Sequence, residues 1–196
     1  MKTVKIKDQE LIKSFVAGNQ SSMEDLVIRH KDRVYTYILM IVKDKMLAED
    51  IFQETFIKVI KSLRRGKYSE KGVFVSWVIR ISHNLIIDHF RKEKHLQTVS
   101  NTDSEMDIFN VEKFSDKNIE DVIIKKQIED SVKSLIDELP EDQKEVVLLR
   151  HYGNLSFKEI SDQTGVSINT SLGRMRYALM NLRKLMENRK LDYVLQ

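Results

Sequence analysis

The chain has 196 residues, a formal net charge of +3 and no cysteine. That length suffices for one large domain or two small ones, and the missing cysteine excludes a disulfide framework, a thiolate metal site and a thiol nucleophile. The N-terminal MKTVKIKDQE lacks an apolar signal core, and the longest apolar run, Tyr37 to Val42, is far below a bilayer span. A cytoplasmic address without membrane insertion is therefore expected.

One proline and six glycines leave few breaks, and the apolar residues recur at helical spacing, so an all-α fold is expected. The first helix is predicted from Asp8 to Gly18-Asn19. The second starts at Ser21, where Ser21 and Glu24 fit a capping box, and runs to about Val42. A third begins near Leu47, with the apolar stripe Ala48, Phe52, Phe56, Val59 and Leu63 on one face. After a loop rich in Lys, Arg and Gly, Phe74 to Phe90 is apolar nearly all round, which predicts the helix in the middle of its bundle.

Residues Gln97 to Lys117 show no sustained period. From Asn101 to Asp121 there are seven acids against two lysines, a composition expected to give a flexible linker. Its apolar members, Met106, Ile108, Phe109, Val111 and Phe114, could also dock on a domain face. The helical pattern resumes at Ile119, and Pro140 suits the first position of a new helix because its missing amide costs nothing there. Three segments follow: a domain at 1–96, a linker at 97–117 and a second domain at 118–196.

Ser156 to Leu185 carries the sharpest local signal. Ser156 can cap a short helix, Phe157 to Gln163, Gly165 can take a left-handed turn, and Ser167 can cap a second helix from Ile168. On that second helix Ile168, Met175, Leu182 and either Ala178 or Leu179 are expected inward, with Asn169, Thr170, Gly173, Arg174, Arg176 and Tyr177 outward. Between Gly165 and Lys190 there are six bases against Glu187 alone. Arginines that pair bidentately with guanine and hydroxyls that reach phosphate suit a major groove. The plainer reading is a solvated basic helix.

Two polar stripes remain. Ser76, Arg80, Asn84, Asp88 and Arg91 recur at spacings of four, four, four and three, fit either for nucleic acid or for a solvent face with an Asp88–Arg91 pair. Beside them Lys61, Arg64, Arg65 and Lys67 give four bases without an acid, and Trp77 is core or a base-stacking platform. On the third helix Asp50, Gln53 and Glu54 lie opposite the apolar stripe, where acid and amide chemistry suits a basic protein surface. The histidines at 83, 89 and 95 are spaced too far apart for a metal site, and no catalytic motif is visible, so neither cofactor nor enzyme activity is expected.

Taken together the motifs resemble the extracytoplasmic-function group of bacterial sigma-70 factors. AEDIFQETFIKV (Ala48 to Val59) followed by FVSWVIRISHNLIIDHFRKEK (Phe74 to Lys94) is similar to sigma domain two. LPEDQKEVVLLRHYGNLSFKEISDQTGVS (Leu139 to Ser167) running into INTSLGRMRYALMNLRKL (Ile168 to Leu185) is similar to sigma domain four. The resemblance implies that Asp50, Gln53 and Glu54 dock on core RNA polymerase. It implies that Arg80, Asn84, Asp88 and Arg91, with Trp77 and the bases Lys61, Arg64, Arg65 and Lys67, bind the minus-10 element and capture its unpaired strand. It implies that Ser156 and Lys158 join Asn169, Thr170, Leu172, Gly173, Arg174, Arg176 and Tyr177 at the minus-35 element. Promoter DNA, core polymerase and an anti-sigma factor are the implied partners of a chain that is monomeric when free. The competing readings are a dimeric helix-turn-helix regulator and a sigma mimic that captures anti-sigma proteins.

Two positions depart from the family pattern. Ser171 stands where an apolar residue is usual, and Leu172 where a base is common, so either Leu172 packs inward or it touches a thymine methyl. Gly173 replaces the more usual serine and weakens the helix by about 1 kcal/mol relative to alanine.

Overall fold

In a computed structural model, residues 6–68, 73–97 and 130–189 are described, and every regular element among them is an α-helix. They fall into two compact units, one drawn from Met1–Asn101 with His151–Leu155, the other from Thr102–Arg150 with Ser156–Gln196. The expected linker at 97–117 lies outside the described residues apart from Gln97, which is the last residue of a helix.

Four helices build the first unit: α1 (Asp8–Val16), α2 (Ser21–Val42), α3 (Lys45–Arg64) and α4 (Phe74–Gln97). The second helix does not start with a Ser21–Glu24 capping box. Asn19 Oδ1 instead accepts the Ser21 amide at 3.2 Å and its hydroxyl at 2.9 Å, so the cap lies two residues upstream. At the other end Lys43 closes α2 in the left-handed conformation, φ 57°. Asp44 then caps α3 by accepting the Leu47 amide at 3.0 Å, which starts that helix two residues earlier than its apolar stripe suggested.

The stripe on α3 faces inward through Ala48, Ile51, Phe56, Val59 and Leu63, with Phe52 half-buried. Against it lie Leu26, Val34, Tyr37 and Ile38 of α2 and Phe74, Val78, Ile79 and Ile86 of α4, all buried. Each such side chain contributes roughly 1.5–3 kcal/mol by leaving water. Helices α2 and α3 each pack on the other three helices of the unit, whereas the expectation put α4 in the middle. Among the described side chains of α4, Ile87 and Phe90 are each 40 % exposed, so the helix is not buried all round. A buried contact joins α2 and α4, the Tyr37 hydroxyl lying 2.8 Å from His83 Nδ1.

The second unit contains a helical stretch at residues 130–137 (α5), then α6 (Glu141–His151), α7 (Phe157–Thr164) and α8 (Ile168–Asn188). Pro140 sits one residue before α6, and its carbonyl accepts the amides of Gln143 and Lys144, both at 2.9 Å, so it caps the helix rather than opening it. Leu135, Ile136, Leu139, Val146, Leu148, Leu149, Ile160 and Ala178 form the core. Among them lies Lys144, whose side chain is 2 % exposed and whose ammonium is bound by the Asp137 carboxylate. Asn181 Nδ2 donates to Gln143 Oε1 at 2.8 Å, tying α8 to α6.

Candidate nucleic-acid interface

The helix-turn-helix forms as its local chemistry dictates. Ser156 Oγ accepts the Glu159 amide at 3.3 Å, and the Glu159 carboxylate accepts the Ser156 amide and hydroxyl, each at 2.9 Å, a reciprocal capping box. Gly165 ends α7 at φ 69°, a left-handed conformation that a side chain would oppose. Ser167 Oγ accepts the Thr170 amide at 3.0 Å and opens α8. One contributor carried no sequence signal: the Ser161 hydroxyl donates to the Val166 carbonyl at 2.5 Å and pins the turn.

The rotation of α8 differs from its apolar pattern. Ser171 and Ala178 are fully buried, while Ile168 and Leu179 are exposed, so Ile168 does not face inward and Ala178 rather than Leu179 does. Asn169, Thr170, Leu172, Arg176 and Tyr177 are exposed, and Gly173 is half-exposed. The Thr170 hydroxyl is already engaged, 2.8 Å from Ser167 Oγ. Arg174 does not stand free on the outer face: it is half-buried, and its Nε lies 3.2 Å from Asp142 Oδ2 of α6. The same guanidinium opposes the effect of burial, which raises the Glu145 carboxyl above its ordinary range. Arg174 thus links α8 to α6. On α7, Lys158 is exposed, whereas the Ser156 side chain is committed to its cap.

In the first unit, Asp50, Gln53 and Glu54 are exposed on α3, opposite the buried Ile51, Thr55 and Val59. Glu54 pairs with Lys58 at 3.3 Å, an exposed contact of small energetic weight. Lys61, Arg64, Arg65 and Lys67 are all exposed, and the Arg64 guanidinium lies over the Phe15 ring at 5.7 Å. The stripe on α4 is graded, not uniform: Ser76 is buried, Arg80 half-buried, and Asn84, Asp88 and Arg91 exposed. Asp88 and Arg91 approach at 3.5 Å.

Trp77 is half-buried in an aromatic cluster, its ring 4.8 Å from Tyr68 and 6.0 Å from Phe74, with His30 5.4 Å beyond Phe74. Tyr68, an isolated aromatic in a Lys- and Gly-rich loop, belongs to no periodic pattern and was therefore missed. Tyr68 and Trp77 are half-exposed, and Tyr68 directly follows the basic run Arg64, Arg65 and Lys67 in the chain. Among the described residues, no group of histidines and carboxylates could hold a metal ion and no helix is long and apolar enough to cross a membrane.

Sigma-70 region 2 matches residues 26–96 and Sigma-70 region 4 matches residues 129–182, together well over half of the chain. The chain belongs to the sigma-70 family, as an extracytoplasmic-function sigma factor. It is 29 % identical over 179 residues to the RNA polymerase sigma factor CarQ of Myxococcus xanthus, covering 91 % of this chain and 97 % of that protein. It is 27 % identical to the ECF RNA polymerase sigma factor SigW of Bacillus subtilis, over 88 % of this chain and 93 % of that protein. The same fold occurs in CnrH, solved in complex with the cytosolic domain of CnrY (TM-score 0.56, 20 % identity, 92 % of this chain and 97 % of that one). It occurs too in the Bartonella quintana sigma factor RpoE, solved with the anti-sigma factor NepR (TM-score 0.61, 17 % identity, 84 % and 96 %).

A sigma factor is a non-catalytic initiation factor, and this one directs RNA polymerase to promoter DNA. The region 2 match holds α3 with its acidic and amide stripe, the basic run and the polar stripe of α4; the region 4 match holds the helix-turn-helix as far as Leu182.

Proposed function

We propose that the sigma factor divides initiation between its two units. Residues 1–96 dock on polymerase and hold the melted minus-10 strand, residues 118–196 read the duplex minus-35 element, and residues 97–117 tether them. The observation that carries the division is the difference in exposed chemistry. The face of α3 offers Asp50, Gln53 and Glu54, which would be repelled by phosphate and suit a basic protein groove. The outer face of α8 offers Arg176, Asn169 and Tyr177, which suit base edges and phosphate.

On α4, Asn84 and Asp88 can bond to base edges while Arg80, Arg91, Lys61, Arg64, Arg65 and Lys67 neutralise phosphate, and Trp77 with Tyr68 offers a ring face for an unstacked base. At the minus-35 element Lys158, Thr170, Leu172 and Gly173 contribute to the surface, Ser156 holds α7 in place, and Arg174 positions α8 through Asp142. A base lifted from the stack exposes its pairing edge, and binding energy from these contacts offsets the loss of stacking.

The working compartment is the cytoplasm, where polymerase and promoters reside. The free protein is a monomer, and an anti-sigma factor is its natural antagonist, a reading supported by the solved relatives in complex with such partners.

The test is the double variant Asp50→Lys, Glu54→Lys. Both side chains are exposed, so the far-ultraviolet circular dichroism should be unchanged while retention on immobilised core polymerase is abolished. Retention equal to the wild type removes the docking assignment.

A further inference from the structure

Among the described residues, the reading helix α8 presents an apolar edge that stays partly exposed. Leu172 is 43 % exposed and Ile168, one turn earlier, 44 %. Their orientation is fixed by the packing of α8: Ser171 is fully buried, and the residue after a buried helical position points about 100° away from the core. Leu172, Arg176 and Arg183 recur at spacings of four and seven, so the leucine shares its face with two exposed cations. Next to it, Gly173 opens a notch. A Cβ built there would meet nothing within 4 Å, so no protein contact requires glycine at that position.

An apolar side chain on a cationic helix face calls for an occupant that is polyanionic and carries an apolar group at its edge. In the major groove one group meets that description, the 5-methyl of thymine; guanine and cytosine offer only polar groups or a bare ring C–H there. We infer that Leu172 is a specificity-determining residue that selects thymine in the minus-35 element through its methyl group, and that Gly173 permits the close approach this contact needs. The inference rests on the reading of α8 as the minus-35 helix. Leucine can neither donate to guanine O6 and N7 nor neutralise phosphate, so it favours an A·T pair where a lysine or arginine would favour G·C. Arg176, on the same face, keeps a guanine or phosphate contact available.

The experiment uses holoenzyme assembled from the full chain and core polymerase. It selects from a DNA library randomised across the minus-35 region, synthesised once with thymidine and once with deoxyuridine, which pairs identically but lacks the methyl. The wild type should enrich thymine at one position, and replacing the methyl should lower that enrichment about fourfold, the effect of one buried methyl group, with other positions unmoved. Holoenzyme carrying Leu172→Ala should treat the two libraries alike. Gly173→Ala should raise the thermal midpoint, since alanine favours helix, and yet weaken promoter affinity severalfold. Equal enrichment from both libraries by the wild type, or a methyl effect retained in Leu172→Ala, overturns the thymine assignment. Unchanged or tighter promoter binding by Gly173→Ala overturns the close approach. If Arg176→Ala leaves both promoter affinity and every minus-35 preference intact, the assignment of α8 to this element fails, a result distinct from loss of the methyl effect alone.

Discussion

The two units solve the same problem, a small helical core, with different interiors. The buried polar residues of the first are uncharged at neutral pH, namely Ser22, Thr55, Ser76, Ser82 and His83, set among large aliphatic and aromatic side chains. The second has a charged lysine in its core and a buried hydroxyl, Ser171 Oγ, with no hydrogen-bond partner. The first unit also uses charge where α1 meets α2, Asp8 pairing with Arg29 and, at 2.9 Å, with His30, but it keeps charge out of its core. In the second, residues that resemble surface functional groups are structural: Arg174 pairs with Asp142, and Lys144 with Asp137.

That contrast is broken most severely at Asp137. Removing it by Asp137→Ala takes the carboxylate from the buried Lys144, which should destabilise the second unit by about 2–3 kcal/mol, less than for a fully buried pair because Asp137 itself is partly exposed. Lys144→Met, which removes the charge and keeps the stem, should cost much less. Urea titration of the full chain decides it, and equal losses for the two variants would show that the pair carries no special weight.

The first unit carries an acid-sensitive group of its own. Burial lowers the His83 pKa from 6.5 to about 4, so the folded state holds the ring neutral while the unfolded chain protonates it below 6.5. Stability is therefore present above pH 6.5 and lost as pH falls towards 4, by up to roughly 3 kcal/mol. Thermal melts from pH 7 to 4 should show this slope in the wild type and a flatter one in His83→Gln. An identical slope in both assigns the acid sensitivity elsewhere.

The smallest effect sharpens the comparison from the other side. Ser171→Ala removes a buried, unpartnered hydroxyl and should stabilise the second unit by about 1 kcal/mol. A loss of stability would mean that the hydroxyl finds a partner in solution.

Legibility in the sequence followed the range of the interactions. The turn of the helix-turn-helix was readable because Ser156, Gly165 and Ser167 act within three or four residues of themselves. The Ser21 cap misled because Asn19, two residues upstream, supplies a competing side-chain oxygen to the same first turn. The inward face of α8 was obscured because Ile168, Leu172, Leu179 and Met180 put apolar residues on its outer side. Lys144 and Asp137 are seven residues apart across the break at Pro140, so no helical spacing could have joined them. For the candidate site, exposure of Asp50, Gln53 and Glu54 followed directly from the opposite apolar stripe, whereas the Tyr68–Trp77 contact joins residues nine apart outside any helical period.

The division of labour between the units is tested most directly by separating binding from melting. Holoenzymes carrying Asn84→Ala or Arg176→Ala are compared by filter binding to duplex promoter DNA and by permanganate reactivity of unpaired thymines at the minus-10 element. The account predicts that Asn84→Ala binds the closed duplex near wild-type strength but melts it poorly, while Arg176→Ala binds weakly and melts normally once bound at high concentration. Equal impairment of both steps by both variants, or normal melting by Asn84→Ala, would contradict it.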